Sequence, residues 1–181
     1  TGPLPRKLIL VIAHLDSLNH EDGPNAVAPG ADDNASGSAG LLQIAKAFAG
    51  QAHENDLRFV LTGGEEQGLF GSRFHVTQMS DADRMRLSAI VNMDMIALRN
   101  TESPTVLIEG HPISQTTIDG LRLAAATHAP ELQVQTSLTP YASDHVPFID
   151  AGLPAVLTIE GADMLSTDIV HSSRDTLDRL D

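Results

Sequence analysis

Residues 7–16, KLILVIAHLD, decide the fold. Lys7–Ala13 is a short run of Leu, Ile and Val, the composition of a strand buried on both faces. His14 and Asp16 follow it at once, so the chain passes from core to chemistry within a few residues. The run is far too short to cross a bilayer. The arrangement recurs along the chain. Leu57–Thr62 leads through Gly63-Gly64 to Glu65 and Glu66, and Ala89–Met93 runs into Asp94. Thr105–Ile108 and Ala155–Ile159 are further apolar runs, with His171 in the loop after the last. Helical patterns lie between some of them. In Gly37–Ala49, residues Leu41, Leu42, Ile44, Ala45 and Phe48 fall on one stripe, with Asn34 or Ser36 as N-cap and Gly50 as a stop. Ile113–His128 places Ile118, Leu121 and Ala125 similarly and ends before Pro130. Strands alternating with helices imply a three-layer α/β fold, a mixed, mainly parallel sheet with helices on both faces. Ligands of such sheets bind outside the carboxyl ends of the strands. His14, Asp16, Glu65, Glu66, Asp94 and His171 all leave the sheet there.

The chain has 181 residues, the size of one domain. Its net charge is −13, with 24 acidic and 11 basic residues. That balance opposes nucleic acid and an anionic membrane surface as partners, and suits cations. The absence of Cys excludes thiolate catalysis, disulfides and cysteine-bound metal clusters.

The polar clusters differ in what they specify alone. His14-Leu15-Asp16 reads first as a satisfied histidine near a strand end, though Asp16, on the same side of extended backbone, can hold its ring. Asp32-Asp33 precedes a helix, where an acid serves as a cap. The same segment imitates the first half of a calcium loop, but Gln43 stands where the closing Glu is needed. Glu65-Glu66 is either a solvated acidic turn or a ligand beside a free general base. Asp94 is hardest to explain blandly, because a carboxylate in an apolar run needs a partner or a metal. Asp144-His145 reads as a hydrogen-bonded pair. His20, His53, His75, His111 and His128 read as surface residues.

Taken in order, IAHLDS, APGADDNASG, TGGEEQGLFGS, VNMDMI, SDH and HSSRDTL resemble the M28 family of zinc peptidases, and most of all its bacterial leucyl-type aminopeptidases. The resemblance implies a dinuclear zinc aminopeptidase acting on peptides. Position by position it makes His14, Asp33, Glu66, Asp94 and His171 the ligands, with Asp33 bridging, and Asp16 the orienter of His14. His14 and Asp94 then serve one ion, Glu66 and His171 the other, and Glu65 is the general base. Nitrogen and carboxylate ligands suit two Zn²⁺, for which Co²⁺ or Mn²⁺ can substitute. The resemblance also places Met95, Leu157, Ile159 and Val170 where the first substrate side chain rests, and Asp163 at the pocket wall. Tyr141, the only tyrosine, sits where some members carry an oxyanion-polarising tyrosine, one residue short of the usual spacing.

Family habit implies a secreted or periplasmic location. Members usually carry a helix and a strand before the segment matching Leu8–Ala13, and a closing helix after the last histidine. Residues 1–181 therefore read as a single domain shortened at both ends, and Thr1-Gly2-Pro3 as the start of a processed or excised chain. A carboxypeptidase or amide deacetylase with the same metals would need a basic cluster for a substrate carboxylate. Only Arg99 and Arg174 adjoin the motifs. A non-catalytic receptor-like domain would have lost ligands. A glutaminyl cyclase would use one zinc.

Overall fold

The computed structural model describes residues 6–181. Thr1-Gly2-Pro3, read above as a processed start, lie outside the described residues. Six strands form one sheet: β1 (Leu8–His14), β2 (Asp56–Thr62), β3 (Leu87–Met93), β4 (Thr105–Gly110), β5 (Gln133–Ser137) and β6 (Ala155–Glu160). Their order is β2-β1-β3-β6-β4-β5. β2, β1, β3 and β6 are parallel, β4 runs antiparallel to β6, and β5 runs parallel to β4.

Helices cover both faces. On one, α1 (Gly37–Phe48) places Leu41 and Ile44 against Val11, Ala13 and Met93. On the same face α4 (Gln115–His128) packs Ile118 and Leu121 on Ile108 and Val156. On the other, α2 (Phe70–Gln78) and α5 (Val146–Asp150) contribute Val76, Phe148 and Ile149, which pack with Leu8, Leu10, Ile12, Ile90 and Ala155. The alternation of Leu8, Leu10 and Ile12 with Val11 and Ala13 is the two-residue period of a strand buried on both sides. A short helix, α3 (Asp81–Arg86), leads into β3, its first turn capped by the Ser80 side chain, which accepts from Asp83 N.

Two expectations change here. Of the stripe drawn on α1, only Leu41 is fully buried, while Leu42 and Phe48 are exposed. The helix lies over the inner strands, and Phe48 turns to the margin, edge-on to His53. His75 is not a surface residue. It is half-buried beside Phe148, its Nε2 has no partner, and burial lowers its pKa.

Register sets up the site. Ile12 pairs with Asn92, and His14 with Thr62. Counting on two residues from Ile12 and Asn92 brings His14 and Asp94 level at the carboxyl edge. The start of α1 is pressed onto that edge. A Cβ on Gly37 would lie 2.4 Å from the Met93 carbonyl oxygen, so only glycine fits.

Candidate metal centre

Five separated segments meet at the carboxyl edge of β1, β2 and β3. His14 ends β1, and its ring is buried, with 1% of the side chain exposed. Its Nδ1 lies 3.0 Å from the Asp16 carbonyl oxygen. A carbonyl only accepts, so Nδ1 carries the proton and Nε2 is left with its lone pair. Nε2 faces Asp33 Oδ1 and Asp94 Oδ1, each at 3.2 Å. A lone pair aimed at two carboxylate oxygens is repulsive unless a proton or a cation lies between them. On the far side of Asp33, His171 Nε2 stands 2.9 Å from Asp33 Oδ2 and 2.9 Å from Glu66 Oε2.

The result is two ligand groups sharing one carboxylate: His14, Asp33 and Asp94, and Asp33, Glu66 and His171. Donors of imidazole and carboxylate type, with a buried Glu66 Oε1 that has no partner, fit a divalent metal such as zinc. Without one, protons take its place. Burial lowers the pKa of His14, but Asp33 and Asp94 outweigh it and push it up to about 12. Asp33 and Glu66 push His171 up to about 10. Burial, then the charge of Asp94, raises Glu65 to about 8.

Asp33 is carried by the turn Ala31–Ser36, whose backbone is pinned from the far end of the chain. The Asp175 carboxylate accepts from Asp32 N at 2.8 Å and Asp33 N at 3.0 Å. His20 N donates to the His171 carbonyl at 2.9 Å. Asp32 turns away from the cluster. It accepts from Ala97 N, and burial and Glu160 push its pKa up to about 7. Asn34 reaches instead to the Met93 carbonyl at 2.9 Å and accepts from Gly37 N. Asn34, one of the two N-cap candidates read from the sequence, thus caps the start of α1, whereas Asp175 did not stand out there, because its work is to hold backbone rather than metal.

Asp16 holds His14 by a different route from the one expected. Its carbonyl binds the ring, while its carboxylate oxygen is 3.7 Å from Nδ1. That carboxylate accepts instead from Glu65 N and Glu66 N, at 3.2 Å each, and so braces the turn that carries the proposed base. Asp144 and His145 do not pair, contrary to the reading of their adjacency. Asp144 accepts from Thr62 Oγ1, and both ring nitrogens of the fully buried His145 lack partners. Side chains adjacent at the start of a helix point in different directions. The Asp144 carboxylate points to Thr62 at the end of β2, and His145 Nε2 lies 3.5 Å from Glu109 on β4.

The residues named for the substrate pocket differ in burial. Met95, next to Asp94, is half-buried with a φ of 50°. Val170 and Asp163 are half-buried, and Tyr141 is exposed, its N–H bound by Glu109. Leu157 and Ile159 are buried within β6. Cavities of about 540, 520 and 700 Å³ lie elsewhere and are lined by none of these six residues.

Residues 1–181 match the sequence model of peptidase family M28. The chain belongs to that family. A probable leucine aminopeptidase of Arthroderma otae is 34% identical over 182 residues, which cover 97% of this chain and 49% of that protein. Among solved structures, the LapA aminopeptidase of Legionella pneumophila superposes with a TM-score of 0.78 at 27% identity, over 97% of this chain and 45% of LapA. The zinc aminopeptidase BSAP of Bacillus subtilis shares the fold, with a TM-score of 0.81 at 24% identity over 100% of this chain and 44% of that one. This M28 chain thus spans about half the length of the curated relatives it matches.

Proposed function

We propose that this M28 chain carries the catalytic centre of a dinuclear zinc aminopeptidase that removes amino-terminal residues from peptides. The observation that carries the reading is the pair of ligand groups sharing Asp33, with the unligated carboxylate of Glu65 beside them. His14 and Asp94 would hold one zinc, Glu66 and His171 the other, and Asp33 both. Bound there, two ions would polarise the scissile carbonyl and acidify a water. Glu65 would take the proton of the attacking water and return it to the departing amine. Burial keeps that carboxyl basic enough to hold the proton between the two steps. Asp16 fixes the Nδ1–H form of His14 through its carbonyl and the Glu65-Glu66 turn through its carboxylate. The net charge of −13 suits a cationic substrate amine. Support for zinc and for peptide substrates comes from the relatives' names and from the donor chemistry. Cobalt or manganese would substitute.

The same proposal includes one domain over 1–181, a secreted or periplasmic location, and a substrate side chain resting near Met95 and Val170. Metal analysis with assays on aminoacyl anilides and on carboxyl-terminally free peptides tests it. Two zinc ions per chain and anilide turnover are expected. No metal uptake, or turnover only from the carboxyl terminus, would sink it.

A further inference from the structure

His171 is the most exposed of the five candidate ligands, with 35% of its side chain open to solvent. Its backbone lies in the left-handed region, with a φ of 56°. A residue with a Cβ stays there only where its surroundings hold it.

Three contacts from the turn 19–22 do that holding. His20 N donates to the His171 carbonyl at 2.9 Å. The His20 ring stands edge-on to the His171 ring, with centroids 5.0 Å apart. Beside it, the Glu21 carboxylate accepts from both terminal nitrogens of Arg174, at 2.8 and 2.7 Å. Arg174 Nε donates to the Asp168 carbonyl at 2.7 Å. One guanidinium thus ties together the two ends of the segment that carries His171, and ties both to Glu21. The turn that presents Glu21 is itself fixed. Asn19 is buried, and its Oδ1 accepts from Glu21 N and Asp22 N at 2.9 Å each. Its Nδ2 donates to the Val27 carbonyl at 2.9 Å. Arg174, one of the two arginines that adjoin the motifs, is therefore already paired with a carboxylate of this chain.

We infer that Glu21 and Arg174 are positioning residues, an ionic latch that holds His171 as a ligand in the Glu66 half of the site. The inference rests on the two-ion reading above. With the latch open, the loop loses its tie to Glu21, and His171 is free to leave the left-handed conformation. Its Nε2 then withdraws from Asp33 and Glu66, and zinc release from that half quickens. None of these bonds involves His14 or Asp94, so the other half is unaffected. Both partners of the latch are exposed, Arg174 at 42% and Glu21 at 50% of the side chain, so salt screens their attraction. The hold on one of two ions therefore depends on ionic strength.

The test loads the full chain with zinc, adds an excess of a chromogenic chelator and follows release. Two phases are expected, and Glu66→Ala should abolish the one that belongs to its half. At low salt, Glu21→Ala should speed that same phase by about 2–5-fold, the range of an exposed ion pair, and leave the other phase alone. In about 1 M salt, where screening acts within about 3 Å, the native chain and Glu21→Ala should release zinc alike. Arg174→Ala also loses the Asp168 bond and should release zinc at least as fast as Glu21→Ala. Adding Glu21→Ala to it should change nothing further, because the partner is already gone. Native release rates in Glu21→Ala overturn the inference. So do equal acceleration of both phases, a difference that persists in high salt, and additive effects in the double variant. If the native chain takes up no zinc, the two-ion reading falls instead, and the latch with it.

Discussion

The two halves of the candidate metal site are built differently. The His14 half grows out of strand ends. His14 closes β1, Asp94 follows β3, and each has its second polar atom bound, by the Asp16 carbonyl and by Ser143. The Glu66 half hangs on turns. His171 sits in a loop with 35% of its side chain exposed, and Glu66 Oε1 has no partner. Hydrogen-bonded strands supply rigidity without further help, whereas turns must be braced by Asp16 and Asp175. One half is therefore tied to the core, whereas in the other His171 reaches solvent although Glu66 is buried.

The largest effect should come from removing what the halves share. Asp33→Ala is expected to abolish binding of both ions and to lower turnover by more than about 10⁴-fold, beyond what a lost general base removes. Retention of one tightly held zinc would show that the halves are independent. Next, Glu65→Gln should silence catalysis without disturbing either half. Turnover falls by about 10²–10⁴-fold while zinc content stays at two per chain. Native rates in that variant exclude Glu65 as the base.

Stability of the chelated protein sharpens the contrast. His14→Ala removes one partner from a buried charged pair and should cost about 3–5 kcal/mol in denaturant unfolding. His171→Ala, at the solvent edge, should cost about 1 kcal/mol or less. Equal costs would erase the distinction between core and rim. A further effect follows from pH. The pKa of each histidine is raised on folding, from 6.5 to about 12 for His14 and about 10 for His171. Their stabilisation of the metal-free protein is fully present below pH ~6.5 and declines as pH rises towards those values. Glu65, also raised, contributes with the same sign. Between pH 6.5 and 9 the melting temperature of the chelated protein should therefore fall steadily. The zinc-loaded protein should gain over the same range, because metal competes with protons for the same atoms. Parallel slopes would contradict the assignment.

Much of this was legible because the chemistry lies beside apolar runs. Leu8–Ala13 and Ala89–Met93 announce buried strands, and His14 and Asp94 mark their ends. β5 escaped notice because Gln133–Ser137 carries one apolar residue, Val134, on a largely exposed margin. α2 and α5 escaped because one is weakly amphipathic and the other is five residues long. Strand direction in β4 and β5 has no compositional trace. The Asp144-His145 reading failed because adjacency in sequence was taken for adjacency of side chains.

The hydrogen bonds from Asp32 N and Asp33 N to Asp175, and from His20 N to the His171 carbonyl, join segments separated by 143, 142 and 151 positions (175−32, 175−33, 171−20). Ribosomal synthesis delivers these partners at opposite times. The turn bearing Asp33 emerges early and waits, unclamped, until nearly all of this sequence has been made. The candidate ligands His14 and Asp33 are therefore made long before His171, which completes the second group. On the two-ion reading proposed above, a nascent chain lacks a complete site until the loop bearing His171 docks, so any activity of that site would wait for this late step.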